Sequence, residues 1–382
     1  MERYPAWIEI DESQLRKNLR AIRNRIGKRL FCLPVKGDAY GHGAGAIARV
    51  AGEEGVDLLG VATLQEAEEL KKEGVKIPIF LFGAIHEGQI DALLASGIEF
   101  TISSQYKAEL VAKRVCPGSS KCRVHVEVDT GMQRTGVRPE SLPSLIDRLE
   151  QLGCFEQVGI YSHLASSDVP EDASTLRQIE CFYNLLEKLR GWKGIAHLAN
   201  SGGVLHYPDS WFDMVRPGLL SYGYCPNEND RLPGEISPFL SLRAHISYFK
   251  VVEPGEGIGY GHEYTTQERS RIITIPVGYG DGYRRALWDN QAEVLIRGQR
   301  FPIAGRICMD QFMVNLKNSE AYVGEEVTLI GRQGEGEIPL WEIARKSNTN
   351  PYEVLCGLGK RLPRIFRYIP VPLERHPKSM CI

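Results

Sequence analysis

Residues 30–43 read LFCLPVKGDAYGHG, an apolar run that leads into a lysine and a glycine-rich segment. The run 30–35 has the length and the composition of a buried strand. Lys36 stands at the end of that run, and Gly37, Gly41 and Gly43 after it are typical of a turn. The stretch therefore predicts a strand that delivers a lysine to one edge of a sheet.

Seven further apolar runs of similar length follow, and they cover residues 58–62, 77–82, 99–102, 123–128, 158–162, 194–198 and 214–222. Amphipathic stretches such as 64–73 and 175–190 lie between most of them. Alternation of strands and helices favours parallel pairing with right-handed crossovers. Eight strands within about 200 residues are what a closed (β/α)8 TIM-type barrel requires. An open doubly wound sheet is the alternative, but the GxGxxG segment that usually follows its first strand is absent here.

The pattern changes in the segment 226–238, which is rich in proline and asparagine. The apolar runs beyond it are short and separated by frequent turns, for example at 243–252, 271–277, 292–296, 301–304 and 327–330, and a helix is expected at 340–346. Such spacing is typical of a mostly antiparallel β domain. The sequence thus predicts an α/β protein with a barrel domain over residues 1–233 and a C-terminal β domain over 234–382.

Composition excludes several classes of protein. The 382 residues carry 46 Lys and Arg against 48 Asp and Glu, a formal charge of −2, which argues against nucleic acid and anionic membrane surfaces as partners. No apolar run approaches the roughly 18 residues of a spanning helix. The start, MERYPAWIEIDESQL, has no signal-peptide core, and nine scattered cysteines without a CxxC pair favour a reducing compartment. We expect a cytoplasmic protein.

In such a barrel, the carboxyl ends of the strands and the loops after them build the active site. Lys36 is the sharpest candidate there, because desolvation lowers the pKa of a lysine and favours an amine that forms Schiff bases with carbonyl compounds or with pyridoxal phosphate. A snorkelling surface lysine is the alternative. The glycine loops at 200–203 and 216–218 would cradle a phosphate or form ordinary tight turns. The lysine and a phosphate site together favour pyridoxal 5'-phosphate as the cofactor.

Three other motifs are less informative. His125, Glu127 and Asp129 alternate along one predicted strand, but no companion histidine cluster accompanies them, and we expect no metal site. The triplet at 129–131 resembles that of aspartic proteases and lacks the second copy that they need. The glycines of 278–282 lie among predicted hairpins and are expected to form turns.

Taken together, nine segments resemble the alanine racemase family, a group of fold-type III pyridoxal-phosphate enzymes. They lie in the family's order at residues 35–43, 129–134, 162–163, 200–201, 215–218, 264–265, 278–283, 305–311 and 351–353. The resemblance spans nearly the whole chain. It implies a barrel, a β domain that takes in the first strand at about residues 3–10, and a head-to-tail homodimer with two shared active sites.

The resemblance also implies roles for single residues. Lys36 would hold the cofactor covalently, and the phosphate would be bound by Tyr40, Ser201, Gly218, Leu219 and Tyr352. His163 would pack against the cofactor ring, Arg216 would hydrogen-bond the ring nitrogen with His197 behind it, and Arg134 would lie near the substrate carboxylate. The partner subunit would contribute Tyr264, Tyr283, Met309 and Asp310.

The implied function is interconversion of L-alanine and D-alanine, which would supply D-alanine for cell-wall peptidoglycan. Lys36 and Tyr264 would act as the two acid–base groups on opposite faces of the substrate. A free tyrosine has a pKa near 10, so Arg216 and His163 are the candidate cations that would lower the pKa of Tyr264. Glu127 stands where the family commonly has a lysine, often carbamylated, and we expect its charge to steady Arg134.

Two alternatives stay open. One is another fold-type III enzyme, either a decarboxylase or a racemase of larger amino acids. The other is a non-catalytic pyridoxal-phosphate carrier, which the presence of a β domain with Tyr264 disfavours.

Overall fold

The computed structural model describes residues 3–231 and 233–368. Its first unit is a closed barrel of eight strands, each paired in parallel with its neighbours. The strands are β2 (Leu30–Pro34), β3 (Leu58–Val61), β4 (Ile79–Leu81), β5 (Glu99–Ile102), β6 (Cys122–Glu127), β7 (Phe155–Tyr161), β8 (Ile195–His197) and β9 (Met214–Val215). Each one falls on a predicted run, so the TIM-type barrel is confirmed.

Helices connect the barrel strands. They are α1 (Glu12–Ile26), the short turn α2 (Lys36–Gly41), α3 (Ala44–Glu53), α4 (Leu64–Lys72), α5 (Ile90–Ser96), α6 (Gln105–Ala112), α7 (Leu142–Leu152), α8 (Ala173–Lys188) and α9 (Ser201–His206). Asp11 caps α1 by accepting hydrogen bonds from the backbone N–H groups of Ser13 and Gln14. No helix among residues 3–231 and 233–368 is both long and apolar enough to cross a membrane.

The second unit is built from short, mostly antiparallel strands, as predicted. Its larger sheet has the order β16-β15-β18-β10-β1-β20, with β19 paired to β18. These strands are β1 (Ala6–Asp11), β10 (Leu240–His245), β15 (Glu293–Ile296), β16 (Gln299–Pro302), β18 (Glu326–Gln333), β19 (Gly336–Ile338) and β20 (Arg364–Arg367). The first strand of the chain therefore lies in this sheet, between β10 and β20.

A three-stranded sheet and a two-stranded ribbon complete the unit. The sheet is formed by β11 (Tyr248–Val252), β14 (Ser270–Ile275) and β17 (Phe312–Asn315), and the ribbon by β12 (Gly257–Ile258) and β13 (Tyr264–Thr265). Its helices are α10 (Ala286–Asp289), α11 (Leu340–Lys346) and α12 (Pro351–Gly357).

Two predicted strands end earlier than expected. The last barrel strand stops at Val215, because Pro217 cannot donate a ladder hydrogen bond and a 3-10 turn, Leu219–Tyr222, follows. The run 243–252 divides at Ser247 into β10 and β11, which belong to different sheets. The domain boundary at residues 233–234 lies between this 3-10 turn and β10, and its placement stays a prediction.

Gly41 joins the barrel to the second unit. Its φ is 76°, and a Cβ added there would lie 2.2 Å from the carbonyl oxygen of Leu355 in α12. The Gly41 carbonyl also accepts a hydrogen bond of 3.0 Å from Arg364 at the start of β20. The missing side chain thus lets α2 lie directly against α12.

Replacing Gly41 with alanine is expected to destabilise the chain. The left-handed conformation costs an alanine about 1–2 kcal/mol, and displacing the α12 backbone adds about 1–3 kcal/mol. Gly27→Ala is a matched control, since Gly27 has a φ of 65° with nothing within 4 Å of an added Cβ. Urea unfolding at one protein concentration should place the Gly41→Ala midpoint clearly below that of Gly27→Ala. Equal midpoints would mean that the contact with α12 contributes nothing.

Candidate active site

A cavity of about 730 Å³ opens at the carboxyl ends of the barrel strands. Its lining brings together residues that are far apart in sequence and that were predicted to form one site. Ten predicted residues line it: Lys36, Tyr40, Glu127, Arg134, His163, Ser201, Arg216, Gly218, Leu219 and Tyr352.

Lys36 enters this cavity directly from β2. Burial lowers the pKa of its amine, and the neighbouring Arg134 guanidinium lowers it further. The amine nitrogen lies 6.0 Å from the centre of the Phe82 ring. A half-buried amine with a lowered pKa is a better nucleophile than an exposed lysine.

The segment after Lys36 winds in the left-handed sense. Residues 37–40 all have φ between 52° and 63°, a conformation that disfavours every residue except glycine. His42 lies within hydrogen-bond distance of two carbonyls of this turn, 3.0 Å from that of Ala39 and 2.8 Å from that of Tyr40. Glu66 in α4 accepts the N–H of Gly37 at 2.7 Å. These hydrogen bonds hold a strained turn that fixes Lys36 and Tyr40 on the same side of the barrel mouth.

One wall of the cavity is shaped as a cradle for an anion. A Cβ added at Gly218 would lie 2.6 Å from the hydroxyl oxygen of Tyr40. Ser201 is buried, and its hydroxyl accepts the backbone N–H of Leu220 at 3.1 Å. The Tyr352 ring, from α12, lies 5.9 Å from the Tyr40 ring. Hydroxyl groups and close-lying backbone are typical of a phosphate site.

Arg216 is buried at the base of the cavity. Its Nη1 donates to Nδ1 of His197 at 2.7 Å, and its Nη2 donates to the carbonyls of Ser162 at 2.7 Å and Leu198 at 3.1 Å. Its Nε forms no hydrogen bond with any residue in the described part of the chain. Since an arginine only donates and three of its five N–H groups are used in these bonds, the Nε–H and one Nη1–H remain for a ligand acceptor.

His163 does not behave as a cation. Burial lowers its pKa to about 3, and the positive charges of Arg216, Arg134 and Lys36 act in the same direction. The expectation that a charged His163 helps to lower the pKa of Tyr264 is therefore not supported. A neutral imidazole is suited to packing against a ligand ring.

Glu127 lies close to Arg134 but does not bind it directly. Its carboxylate accepts a hydrogen bond of 2.8 Å from the Thr135 hydroxyl, and within the described ranges no ion pair joins it to Arg134. Burial raises the pKa of Glu127, although Thr135 and the charge of Arg134 partly oppose this effect. Its negative charge is thus less firmly held than the sequence suggested, and its role in steadying Arg134 stays a prediction.

The three residues considered for a metal have separate partners. His125 contacts Glu99 and His197, Glu127 contacts Thr135, and Asp129 accepts backbone N–H groups of Gly131 and Gln133. The portions of the chain that the structure describes hold no group of three or more His, Cys, Asp or Glu residues that could bind a metal ion.

Five predicted residues do not line this cavity within one chain: His197 lies behind Arg216, and the other four lie in the β domain. The hydroxyl of Tyr264 accepts a hydrogen bond of 2.5 Å from Asn315, and the Trp288 ring meets its ring edge-on. Tyr283 is buried against Phe312. Met309 and Asp310 line a second depression, on the β domain, together with Tyr248 and Tyr260.

Several lining residues were not anticipated. Cys356 lies four residues after Tyr352 on α12, and this helical spacing was the one signal that could have found it. Glu66 belongs to a capping box with Thr63 at the start of α4, and that motif points to a helix start rather than to a site. Phe82 directly follows β4 and Tyr161 ends β7, and the sequence predicts each only as part of a strand.

The fold and the cavity define a class: a (β/α)8-barrel protein that places a nucleophilic lysine and a cradle for an anion in one cavity. Comparison with known proteins makes this specific. Residues 10–226 match the family described as "Alanine racemase, N-terminal domain", and residues 239–366 match "Alanine racemase, C-terminal domain". The chain belongs to the alanine racemase family, whose members are isomerases.

Individual relatives support this assignment over nearly the full length. The chain is 38% identical to the alanine racemase of Symbiobacterium thermophilum, over 95% of this chain and 97% of that one. It is 40% identical to that of Cutibacterium acnes, over 94% and 97%. The alanine racemase structure of Clostridium difficile superimposes with a TM-score of 0.90 at 35% identity, covering 96% of this chain and 97% of that one. A structure from Bacillus anthracis, described with bound L-Ala-P, gives 0.90 at 34% identity and covers 96% of each chain.

Proposed function

We propose that the chain interconverts L-alanine and D-alanine with pyridoxal 5'-phosphate as its cofactor. The observation that carries this proposal is the arrangement of one cavity, in which the amine of Lys36, the N–H groups of Arg216 and the cradle around Gly218 converge. Family membership supports alanine as the substrate, and the bound L-Ala-P described for the Bacillus anthracis protein fits the same view.

The residues present fit the proposed cofactor. A Cβ at Gly218 would lie 2.6 Å from the Tyr40 hydroxyl. Because glycine has no side chain, this space stays open for a ligand. Tyr40, Ser201, Gly218, Leu219 and Tyr352 would bind the phosphate, Lys36 would attach the cofactor, and His163 would pack on its ring. When bound, pyridoxal phosphate withdraws electrons from the substrate and acidifies its Cα–H bond.

Arg216 favours racemisation over decarboxylation. An arginine keeps its proton, so it donates a hydrogen bond to the ring nitrogen and does not protonate it. Arg216 would thereby leave the ring nitrogen unprotonated, which would limit electron withdrawal by the ring and suppress side reactions. Fixation of Arg216 by the carbonyls of Ser162 and Leu198 supports this role.

Two proton-transfer groups on opposite faces of Cα are needed to invert it. Lys36 supplies one, and we propose that Tyr264 of a second copy supplies the other, since Tyr264 does not line the cavity of its own chain. The β domain exposes apolar and aromatic side chains that suit a subunit interface, with Tyr248 57%, Tyr260 70% and Met309 53% exposed. A homodimer with shared sites would bring Tyr264, Tyr283, Met309 and Asp310 toward the partner's cavity, and Arg134 toward the substrate carboxylate.

The product suggests a biological role. D-Alanine is a building block of peptidoglycan, and we propose that the reaction supplies it in the cytoplasm. The location rests on the cysteine pattern of the sequence and stays a prediction.

The experiment that tests the proposed function is chiral analysis of L-alanine after incubation with the purified chain and pyridoxal phosphate. We expect conversion to a near-equal mixture of enantiomers, and no conversion when the cofactor has been removed with hydroxylamine. Parallel incubations with serine, larger amino acids and lysine separate the alternatives. Faster turnover of a larger amino acid, carbon dioxide release, or cofactor binding without any Cα exchange would each contradict the proposal.

A further inference from the structure

A chain of buried polar side chains runs through the barrel beneath the proposed active site. Arg216 donates to Nδ1 of His197 at 2.7 Å, and Nε2 of His197 lies 2.9 Å from Nδ1 of His125. Nε2 of His125 then lies 2.8 Å from a carboxylate oxygen of Glu99. The four residues come from four different barrel strands or their ends, and none is more than 6% exposed.

Arg216 determines the direction of every hydrogen bond along this row of buried side chains. Because a guanidinium only donates, Nδ1 of His197 must accept, and the proton of that imidazole must be on Nε2. Nδ1 of His125 then accepts in turn, and its own Nε2–H donates to Glu99. Each ring therefore accepts at Nδ1 and donates at Nε2, as a neutral imidazole does, and burial lowers the pKa of both histidines in the same sense.

Aromatic rings enclose the two histidines. The Phe80 ring centre lies 4.2 Å from that of His125, and Tyr161 stacks on His197 at 5.0 Å with an interplanar angle of 6°. A Cβ added at Gly159 in β7 would lie 2.3 Å from Nδ1 of His125. The rings therefore have no room to turn toward other partners.

Glu99 joins this buried chain to the surface at the amino ends of the strands. One of its oxygens accepts a hydrogen bond of 2.9 Å from Nε of Arg123 and lies 2.8 Å from Nη2 of the same guanidinium as an ion pair. Arg123 is half-exposed and also pairs with Glu156 at 2.8 Å. Burial alone would raise the pKa of Glu99, but His125 and Arg123 together hold it below its usual range.

We propose that Glu99 is a positioning residue for the reaction. Its carboxylate accepts the Nε2–H of His125, at the other end from Arg216, and so stabilises the one set of tautomers in which Nδ1 of His197 accepts from Arg216 in the cavity. Without that charge, this set of tautomers loses its charged acceptor, and a set with the proton of His197 on Nδ1, where it faces a donor of Arg216, is disfavoured less strongly. The effect of Arg216 on a ring nitrogen rests on the proposed function, whereas the order of the tautomers does not.

Neutron diffraction from perdeuterated crystals of the full chain tests the tautomers directly. We expect deuterium on Nε2 of His125 and His197 and none on Nδ1 of either ring. Deuterium on Nδ1 of either histidine would overturn the proposal. This result needs no cofactor and no turnover, so it fails or holds separately from the proposed function.

Glu99→Gln tests the consequence, with Glu156→Gln as the matched control. Both remove one negative charge beside Arg123, but only Glu99 contacts His125. A charge-assisted hydrogen bond is about twice as strong as a neutral one, so we expect kcat to fall roughly ten-fold in Glu99→Gln, with KM within about two-fold. Glu156→Gln should match the wild type. Unchanged kcat in Glu99→Gln, or an equal fall in both variants, would overturn the proposal, and circular dichroism identifies loss of folding.

Discussion

Lys36→Ala is expected to lose covalent attachment of pyridoxal phosphate and to lower turnover by at least about 10³-fold, because one residue would serve as both nucleophile and proton-transfer group. Lys36 is the amine whose pKa burial lowers within the main cavity, and the left-handed turn after it fixes its backbone. Alanine only shortens the side chain to Cβ and adds no bulk, so the barrel should form normally.

Borohydride reduction followed by peptide mass analysis measures the attachment. Wild-type protein should carry the reduced cofactor on the peptide that contains Lys36, and Lys36→Ala should carry none there. Lys360→Ala is the control, since Lys360 lines a neighbouring depression that shares Gly37 and Cys356 with the main cavity. Full labelling and turnover in Lys36→Ala would disprove the assigned role, as would their loss in Lys360→Ala.

The barrel could be predicted because its strands are buried on both faces. Such strands appear as short, nearly continuous apolar runs, and all eight were located from this pattern alone. The β domain was harder, because its strands are short and change sheets within one apolar run. At Ser247 the chain leaves one sheet for another, and local hydrophobicity carries no mark of that change.

The same distinction applies to the cavity. Lys36, His163 and Arg216 follow barrel strands directly, so the rule that sites form at the carboxyl ends was enough to nominate them. Glu66 and Cys356 reach the cavity from α4 and α12, and their positions depend on how those helices pack. The spacing of Cys356 from Tyr352 is the only sequence signal for either residue.

Protonation states were the least predictable feature. His163 was expected as a cation, yet burial among Arg216, Arg134 and Lys36 lowers its pKa to about 3. The charge of Glu127 was expected to steady Arg134, yet burial raises the pKa of that carboxyl. Both outcomes depend on desolvation and on charges brought together by folding, which residue types alone do not encode.

Tyr264→Phe is expected to slow proton exchange at Cα unequally for the two enantiomers. If Lys36 and Tyr264 act on opposite faces, removal of the phenol leaves one face with a working base. One enantiomer should then still exchange its Cα proton with solvent deuterium and keep its configuration. The other should exchange about 10²–10⁴-fold more slowly, which is the usual contribution of a general base.

Deuterium incorporation into each enantiomer, followed by chiral mass analysis, measures this difference. Tyr260→Phe is the matched control, since Tyr260 is a more exposed tyrosine four residues earlier. It should leave both rates unchanged. Equal slowing from both enantiomers in Tyr264→Phe, with chemistry shown to be rate-limiting, would contradict two bases on opposite faces.

Mixing the two inactive variants separates a shared site from a site within one chain. In a head-to-tail dimer of one Lys36→Ala subunit and one Tyr264→Phe subunit, one site receives both native residues and the other receives neither. We therefore expect racemase activity to appear after the variants are unfolded together and refolded, although each alone stays inactive. If the phenol acted within its own chain, every mixed dimer would have two defective sites, and the mixture would stay as inactive as its components.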